Sequence, residues 1–397
     1  MIYILTIVVL FVLVVHFDLN EGRKKQAVYW FNIMTLWLIL LSGLAYQVGS
    51  DIPVYMDEYH TFSFKKIQSI NDLINFKDNR QPLWVLLEYI CFKISSNFVI
   101  FKLAISIICN LAITRFILKH STFPFSTLLF YGLILYLNLN FNALRQCLAV
   151  AMFLTGYDAL KEKKWLKYYA LSLCAFLFHS SAFICFFLPV LHFMPFNKKS
   201  LAIISLSMLI GVFYMLQFDM IDYVYDLVLN NAGLMPEEYA DLAEDMLTGA
   251  ESSEANIIGM IFIAFQVLLI VFIMFFNYKY YGEESTLMLK MLLVYMLFVV
   301  LNRAIPVVFT RFMQYFDIFY CCLLPSAVIP LCRRFTKDNI APVVIIALFA
   351  LLPISTLLSE NKKTGRPLMV QYYPYYSVFN PQIDPQRSML FGAYRGD

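Results

Sequence analysis

The stretch NALRQCLAVAMFLTGYDALKEKKWLKYYALSLCAFLFHSSAFICFFLPV, residues 142–190, decides the fold. An apolar run over 143–160 ends in the basic turn Lys161, Lys163, Lys164 and Lys167, and a second apolar run follows over 166–196. A membrane-spanning helix needs about 20 apolar residues. The second run is too long for one crossing and is basic at both ends, so the chain must turn back near His179, Ser180 and Ser181.

The rest of the chain repeats this pattern. Hydrophobic residues fill 61% of 397 positions and charged residues 14%, and the mean hydropathy is +0.69, far from the balance of a water-soluble domain. Apolar runs fall near 2–17, 27–48, 98–118, 122–138, 143–160, 166–180, 181–196, 200–217, 256–277, 285–302, 308–331 and 340–358. The expectation is an all-α integral membrane protein, a polytopic bundle of about 12 transmembrane helices filling residues 1–358 as one domain, followed by a tail at 359–397. The first run has no basic n-region and no small-residue cleavage site, so it should stay as a helix. The net charge of +3 is small, and nucleic acid is not an expected partner. None of the eight cysteines forms a CxxC pair or a Cys/His cluster with metal-ligand spacing, so they read as apolar fillers and no metal is expected.

Lys and Arg in short loops stay on the cytoplasmic side. Arg23, Lys24, Lys25, Lys119, the turn at 161–167, Lys198, Lys199, Lys279, Lys290, Arg333, Arg334 and Lys337 all share one side if both termini lie outside. The 218–255 loop, on the other side, holds ten Asp or Glu and no Lys or Arg. The outer face then carries the segment 49–97, the acidic loop and the tail. Within 49–97, QPLWVLLEYICFKI (81–94) has apolar residues at helical spacing with Glu88 and Lys93 among them, which suits an interfacial outer helix.

That orientation gathers the polar residues at membrane depth on one side: Asp51, Arg80, Arg145, His179, Arg303 and Arg311 all fall at outer helix ends or in outer segments. An Arg at a helix centre costs about 2.5–3.5 kcal/mol on insertion scales and less near the interface, where it can snorkel to headgroups. Arg303 and Arg311 flank AIPVVFT, where Pro306 removes a backbone donor and breaks or kinks the helix. Guanidinium groups converging on one cavity need an anion: a phosphate or diphosphate bound through bidentate hydrogen bonds, or Asp51 or Asp317 as internal partners. His179 is either a neutral imidazole satisfied within the bundle, through a carbonyl or Ser180, or a functional group facing that cavity. In GSDIPVYMDEY (49–59), a helix would place Asp51, Tyr55 and Tyr59 on one face, suited to sugar rings or to an interfacial aromatic belt.

Three segments carry a family resemblance: VGSDIPVY (48–55), the central block 142–190 with its Arg145-Gln146 pair, Lys-rich turn and Phe-His-Ser, and RFMQYFDIFY (311–320). In this order they resemble the EpsG family of Wzy-like polysaccharide polymerases, over about residues 45–325. The resemblance implies a GT-C-like, metal-independent and inverting membrane glycosyltransferase with no cofactor. It would join undecaprenyl-diphosphate-linked oligosaccharide units, as donor and acceptor, at the outer face of the bacterial cytoplasmic (inner) membrane, with a chain-length regulator protein as a candidate partner beside membrane lipid. In that setting Arg145, Arg303 and Arg311 would hold the donor diphosphate, and Tyr55, Tyr59, Arg80 and Gln146 the sugars. His179 or Asp51 would serve as the base, or His179 would donate to the diphosphate. The competing classes are an O-antigen ligase-type transferase, which differs only in acceptor, and a lipid-linked oligosaccharide flippase, which needs charges spread through the bundle.

Overall fold

A computed structural model describes residues 2–20, 24–61, 80–217, 257–302, 306–335, 339–359 and 367–387. Among them the protein is all-helical. The acidic 218–255 loop and Arg303 lie outside the described residues. The chain divides into two compact units, Met1–Phe187 with Val328–Asp397, and Leu188–Ala327.

In the first unit, α1 (Ile2–Leu13) runs into a π turn (Val14–Leu19), followed by α2 (Lys24–Gly43), the short α3 (Ile52–Thr61) and α4 (Pro82–Ile94). Next come α5 (Phe98–His120), α6 (Pro124–Phe141, with a π segment at Gly132–Tyr136), α7 (Leu144–Lys161) and α8 (Trp165–Phe178). The second unit contains α9 (Lys198–Gln217), α10 (Ile257–Tyr281), α11 (Thr286–Leu301) and most of α12 (Pro306–Phe335), whose last turns, with α13 (Ile340–Leu358), return to the first.

Among the described residues, seven helical segments are long and apolar enough to cross a membrane: α1 with its π turn, α2, α5, α6, α10, α12 and α13. Some of the other expected runs take a different form. The run 143–160 became α7, which carries Arg145, Asp158 and Lys161, and the stretch 166–196 became two short pieces, the 14-residue α8 and a 13-residue 3₁₀ helix at Ser180–His192. The spans show how a uniformly apolar helix divides its faces. On α1, Tyr3, Thr6, Leu10 and Leu13 are buried while Ile4, Leu5, Val8 and Val12 are exposed, a surface that suits lipid and not water.

Several buried polar residues of the first unit form paired networks, as burial away from water favours. Asn110 Nδ2 donates to Asn140 Oδ1 (2.8 Å), Asn140 Nδ2 to the Tyr131 hydroxyl (3.1 Å), and Tyr131 back to Asn110 Oδ1 (3.3 Å), closing a ring between α5 and α6. Asp18 accepts from Ser126 N (2.6 Å) and Ser126 Oγ (2.8 Å), capping the first turn of α6.

The tail, which has no legible periodicity, is not a loose appendage. Tyr372 and Arg387 are buried. The Arg387 guanidinium donates to the carbonyls of Gln47 (2.7 Å) and Pro374 (2.6 Å), while Gly49 N–H donates to the Gln371 carbonyl (3.0 Å) and Tyr46 N–H to that of Tyr376 (2.9 Å). The tail therefore clamps the connection between α2 and α3.

Candidate functional site

That connection sets up the site. Gly49 has φ +108°, and a Cβ there would lie 1.8 Å from the Phe141 carbonyl oxygen, so only glycine allows the approach. Ser50 N–H then donates to Asn142 Oδ1 (2.7 Å), while Asn142 Nδ2 donates to Gln371 Oε1 (2.9 Å) and to the Tyr372 hydroxyl (2.7 Å). One asparagine, three positions before Arg145, thus ties the start of α3 and the tail to the start of α7.

Asp51 is exposed just ahead of α3 and accepts from Ser50 Oγ (2.9 Å). One turn on, Tyr55 has Arg145, Asp51 and Arg80 as its charged neighbours; burial raises its phenol above the ordinary value, Asp51 adds to this and Arg145 opposes it. Arg145, in the first turn of α7, donates from Nη1 to Gln81 Oε1 (2.9 Å), and its buried Nε has no hydrogen-bond partner. Arg80 pairs with Glu58 of α3 and lies 5.8 Å from the Tyr55 ring centre. The structure therefore brings Asp51, Tyr55, Arg80 and Arg145 into one polar corner formed by α3, the entry to α4 and the entry to α7. Gln146, next to Arg145, is buried.

Tyr59 takes a different course. It has no exposed surface: its ring stacks on Phe101 (5.4 Å), lies against Phe92 and Phe98, and its hydroxyl donates to the Ser95 carbonyl (2.8 Å). The shared helix face holds for the backbone, but this ring fills the core and offers no face to a sugar.

His179 ends α8, with extended backbone at φ −154° and ψ 128°. The chain reverses there: the Tyr168 hydroxyl donates to the Cys185 carbonyl (2.6 Å), and Tyr169 and Phe176 both lie against Phe186. His179 Nδ1 accepts from Ser181 N–H (3.2 Å) and lies 2.6 Å from Ser181 Oγ, so it caps the following 3₁₀ helix. A ring nitrogen that accepts a backbone N–H carries no proton, which places the proton of the neutral imidazole on Nε2. Because α7 and α8 form an antiparallel hairpin of 18 and 14 residues, roughly 27 and 21 Å long, His179 returns to the end of α7 that holds Arg145 and Gln146.

Arg311 is exposed on α12 in the second unit, and Asp317, one of the internal partners considered for the arginines, is buried with the Tyr295 hydroxyl against its carboxylate.

Four residues of the polar corner were not legible as site residues from the sequence: Glu58, Gln81, Trp84 and Glu88. Glu88 is 1% exposed, its Oε1 has no hydrogen-bond partner, and neither does the indole Nε1 of Trp84, one turn earlier. The indole N–H approaches the carboxyl closely enough to favour its charged form without the geometry of a hydrogen bond. Burial, and next the Glu58 carboxylate, nevertheless push the Glu88 acid up to about 8, against the opposing pull of Arg80 and Arg145. The available signal was an acidic residue at i+4 from a Trp on the buried side of an otherwise apolar helix.

A model of the EpsG family matches residues 28–377, most of the chain. The chain belongs to the EpsG family. EpsG proteins are Wzy-like polysaccharide polymerases, which makes this a glycosyltransferase-like polymerase, and its apolar helices make it a multi-pass membrane protein. No curated protein and no solved structure matches the chain. The EpsG match takes in every residue of the polar corner and ends within the tail, short of Arg387.

Proposed function

We propose that this EpsG protein joins undecaprenyl-diphosphate-linked oligosaccharide repeat units at the outer face of a bacterial cytoplasmic membrane. The observation that supports this best is Arg145: a half-buried guanidinium with one nitrogen on Gln81 and Nε unpartnered, at the same end of the α7–α8 hairpin as His179. A polyprenyl diphosphate has a tail in the membrane, a diphosphate at headgroup depth and sugars in water, and the corner offers cation, carboxylates and phenol at such a boundary.

In this reading Arg145 holds the donor diphosphate, and Arg303 and Arg311 are further diphosphate ligands on the sequence grounds given above. They stabilise the charge that grows as the diphosphate leaves, work done by a divalent cation in other transferases. His179, with its proton on Nε2, donates to that leaving group. Arg80, Tyr55, Gln146 and Asp51 orient the sugars. The acceptor hydroxyl attacks the anomeric carbon in one displacement, and inversion follows. The reading also holds that both termini and the tail are extracytoplasmic, that the bundle makes about 12 crossings in a GT-C-like arrangement, and that a chain-length regulator protein partners it.

The test is reconstitution. Purified protein in nanodiscs, given the lipid-linked oligosaccharide pool extracted from a strain deleted for it, should produce a polymer ladder that survives a chelator. Sugar transfer only onto a different acceptor would replace the polymerase with a ligase, and no transfer of any kind would overturn the reading. Single cysteines at 24, 163, 240 and 375 of a Cys-free variant should label the first two inside and the last two outside. Finding 163 and 240 on the same side would break the topology.

A further inference from the structure

The donor side of the reaction has its residues, but the acceptor hydroxyl must lose a proton as it attacks, and neither of the groups first considered for that task is well placed. His179 uses Nδ1 as a cap for the 3₁₀ helix and holds its proton on Nε2, so it has no basic lone pair to offer. Asp51 is exposed to solvent and hydrogen-bonded by Ser50.

Glu88 differs from both. It lies on the face of α4 that also buries Trp84, Val85 and Cys91, turned away from the exposed Ile90 and Ile94. Three buried polar atoms at or near it lack a well-formed hydrogen bond: its own Oε1, Trp84 Nε1, which approaches the carboxyl, and Arg145 Nε. Native interiors rarely leave such atoms unsatisfied, and a cluster of them calls for an explanation. Together they are one acceptor and two donors, which matches a hydroxyl-bearing group better than it matches an apolar one. On the more exposed side stands the Glu58–Arg80 ion pair, whose side chains are 29% and 21% exposed. Ion pairs near the surface are weak and exchange easily, so this one can open without disturbing the helices.

We propose that Glu88 accepts the proton of the attacking sugar hydroxyl, reached when Arg80 swings away from Glu58. The proposal rests on the polymerase reading above. In the step, the hydroxyl oxygen forms the new bond to the donor's anomeric carbon, its proton passes to a Glu88 carboxylate oxygen, and the anomeric carbon–oxygen bond to the diphosphate breaks, the electron pair leaving with the diphosphate. The raised basicity makes the ionised fraction of Glu88, a minority near neutral pH, a stronger base than an ordinary carboxylate.

The experiment compares wild type, Glu88→Gln and Glu88→Asp in nanodiscs with the same extracted lipid-linked pool, measuring initial polymer formation, thermal stability and the thermal shift caused by undecaprenyl diphosphate alone. Glu88→Gln keeps the shape and removes the base; the expected result is wild-type or higher stability, an unchanged shift with undecaprenyl diphosphate, and a rate lower by about 10²-fold or more. Glu88→Asp, which withdraws the carboxylate by one methylene, should fall about tenfold with the same ligand shift. A Glu88→Gln rate within a few-fold of wild type overturns the assignment. Should that variant not accumulate, Glu88→Asp decides, and a wild-type rate from it overturns the assignment equally. No polymer from wild type would instead mark the failure of the polymerase reading.

Discussion

Arg145 and His179 both interrupt apolar runs, and both stand at the same end of the α7–α8 hairpin, yet their surroundings differ in kind. His179 is satisfied by its own chain two residues on, through Ser181. Arg145 is satisfied in part, by Gln81 and by the Tyr55 hydroxyl from segments distant in sequence, and keeps a buried Nε without a partner. A polar group that completes its own turn serves the fold whether or not it does more. A polar group left incomplete by elements that converge on it retains capacity for something else. The comparison ranks the two residues for function, and it can be broken at several points.

The largest effect is expected at Arg145. Lys keeps the charge but replaces a planar fork with a point charge that cannot hold Gln81 and a ligand together. Arg145→Lys should lower polymer formation by about 10² to 10³-fold, the cost of losing one preorganised donor to developing negative charge, at unchanged expression and thermal stability. Near-normal polymer from Arg145→Lys would return this arginine to headgroup snorkelling.

Next is Glu88, read now through stability. Its acid is pushed from 4.5 to about 8 in the folded protein, so the folded state holds a proton that the unfolded state has lost throughout that interval. Stability from this group is complete below pH 4.5 and declines as pH rises to about 8, by a few kcal/mol at most. Glu58 and Tyr59 on α3, Arg80, Cys91 on α4 and Arg145 on α7 are its titratable and charged neighbours. Glu88→Gln should therefore flatten the fall in melting temperature between pH 5 and pH 8 that wild type shows. Parallel profiles for the two proteins would mean that the carboxyl is hydrated in solution.

His179 should show a smaller effect. Gln can accept from Ser181 N–H and still present a donor, though at a different angle. Loss of one hydrogen bond to a charged group costs about 1.5–3 kcal/mol, so His179→Gln should fold and lose about 10- to 100-fold in rate, with Ser181→Ala much less affected. Full activity in His179→Gln would reduce the imidazole to a helix cap, while total loss of folding would show that the cap carries the hairpin.

How much of this was legible beforehand follows the same division. Apolar length alone announces α1, α2, α5, α10 and α13, because a membrane span is a matter of composition over about 20 residues. The reversal at His179 was legible too, since a run basic at both ends must double back. The corner itself was not, because it depends on pairings across the chain: Arg145 with Gln81, Ser50 with Asn142, Arg80 with Glu58. Tyr59 shows the limit of helical spacing as an argument. It shares a face with Tyr55, but Phe101 and its neighbours close over it. The spacing of α4 marks Glu88 as one of two polar residues on an interfacial helix, and nothing in it says that α3 and α7 bury it.

The tail tests the comparison from outside the corner. Arg387 is 1% exposed and answers backbone carbonyls of residues 47 and 374. Burial lowers the guanidinium's affinity for its proton, with Asp384 opposing, yet it stays a cation, and its donors are fixed in a planar fork. Arg387→Ala removes that fork and leaves buried carbonyls unanswered, so the first consequence is a lower melting temperature. The second runs through contacts: Gln371 and Tyr372 hold Asn142, which holds Ser50, and so the tail sets the spacing between Asp51 and Arg145. Because Arg387 acts on the corner only through the tail and Asn142, a few-fold rise in the donor concentration needed for half-maximal rate is expected, with the maximal rate nearly unchanged. Asn142→Ala, one contact nearer, should raise it further. If Arg387→Ala lowers the melting temperature while both kinetic constants stay at wild-type values, the tail is a fastening for α1 and α2 alone, and the corner keeps its geometry without it.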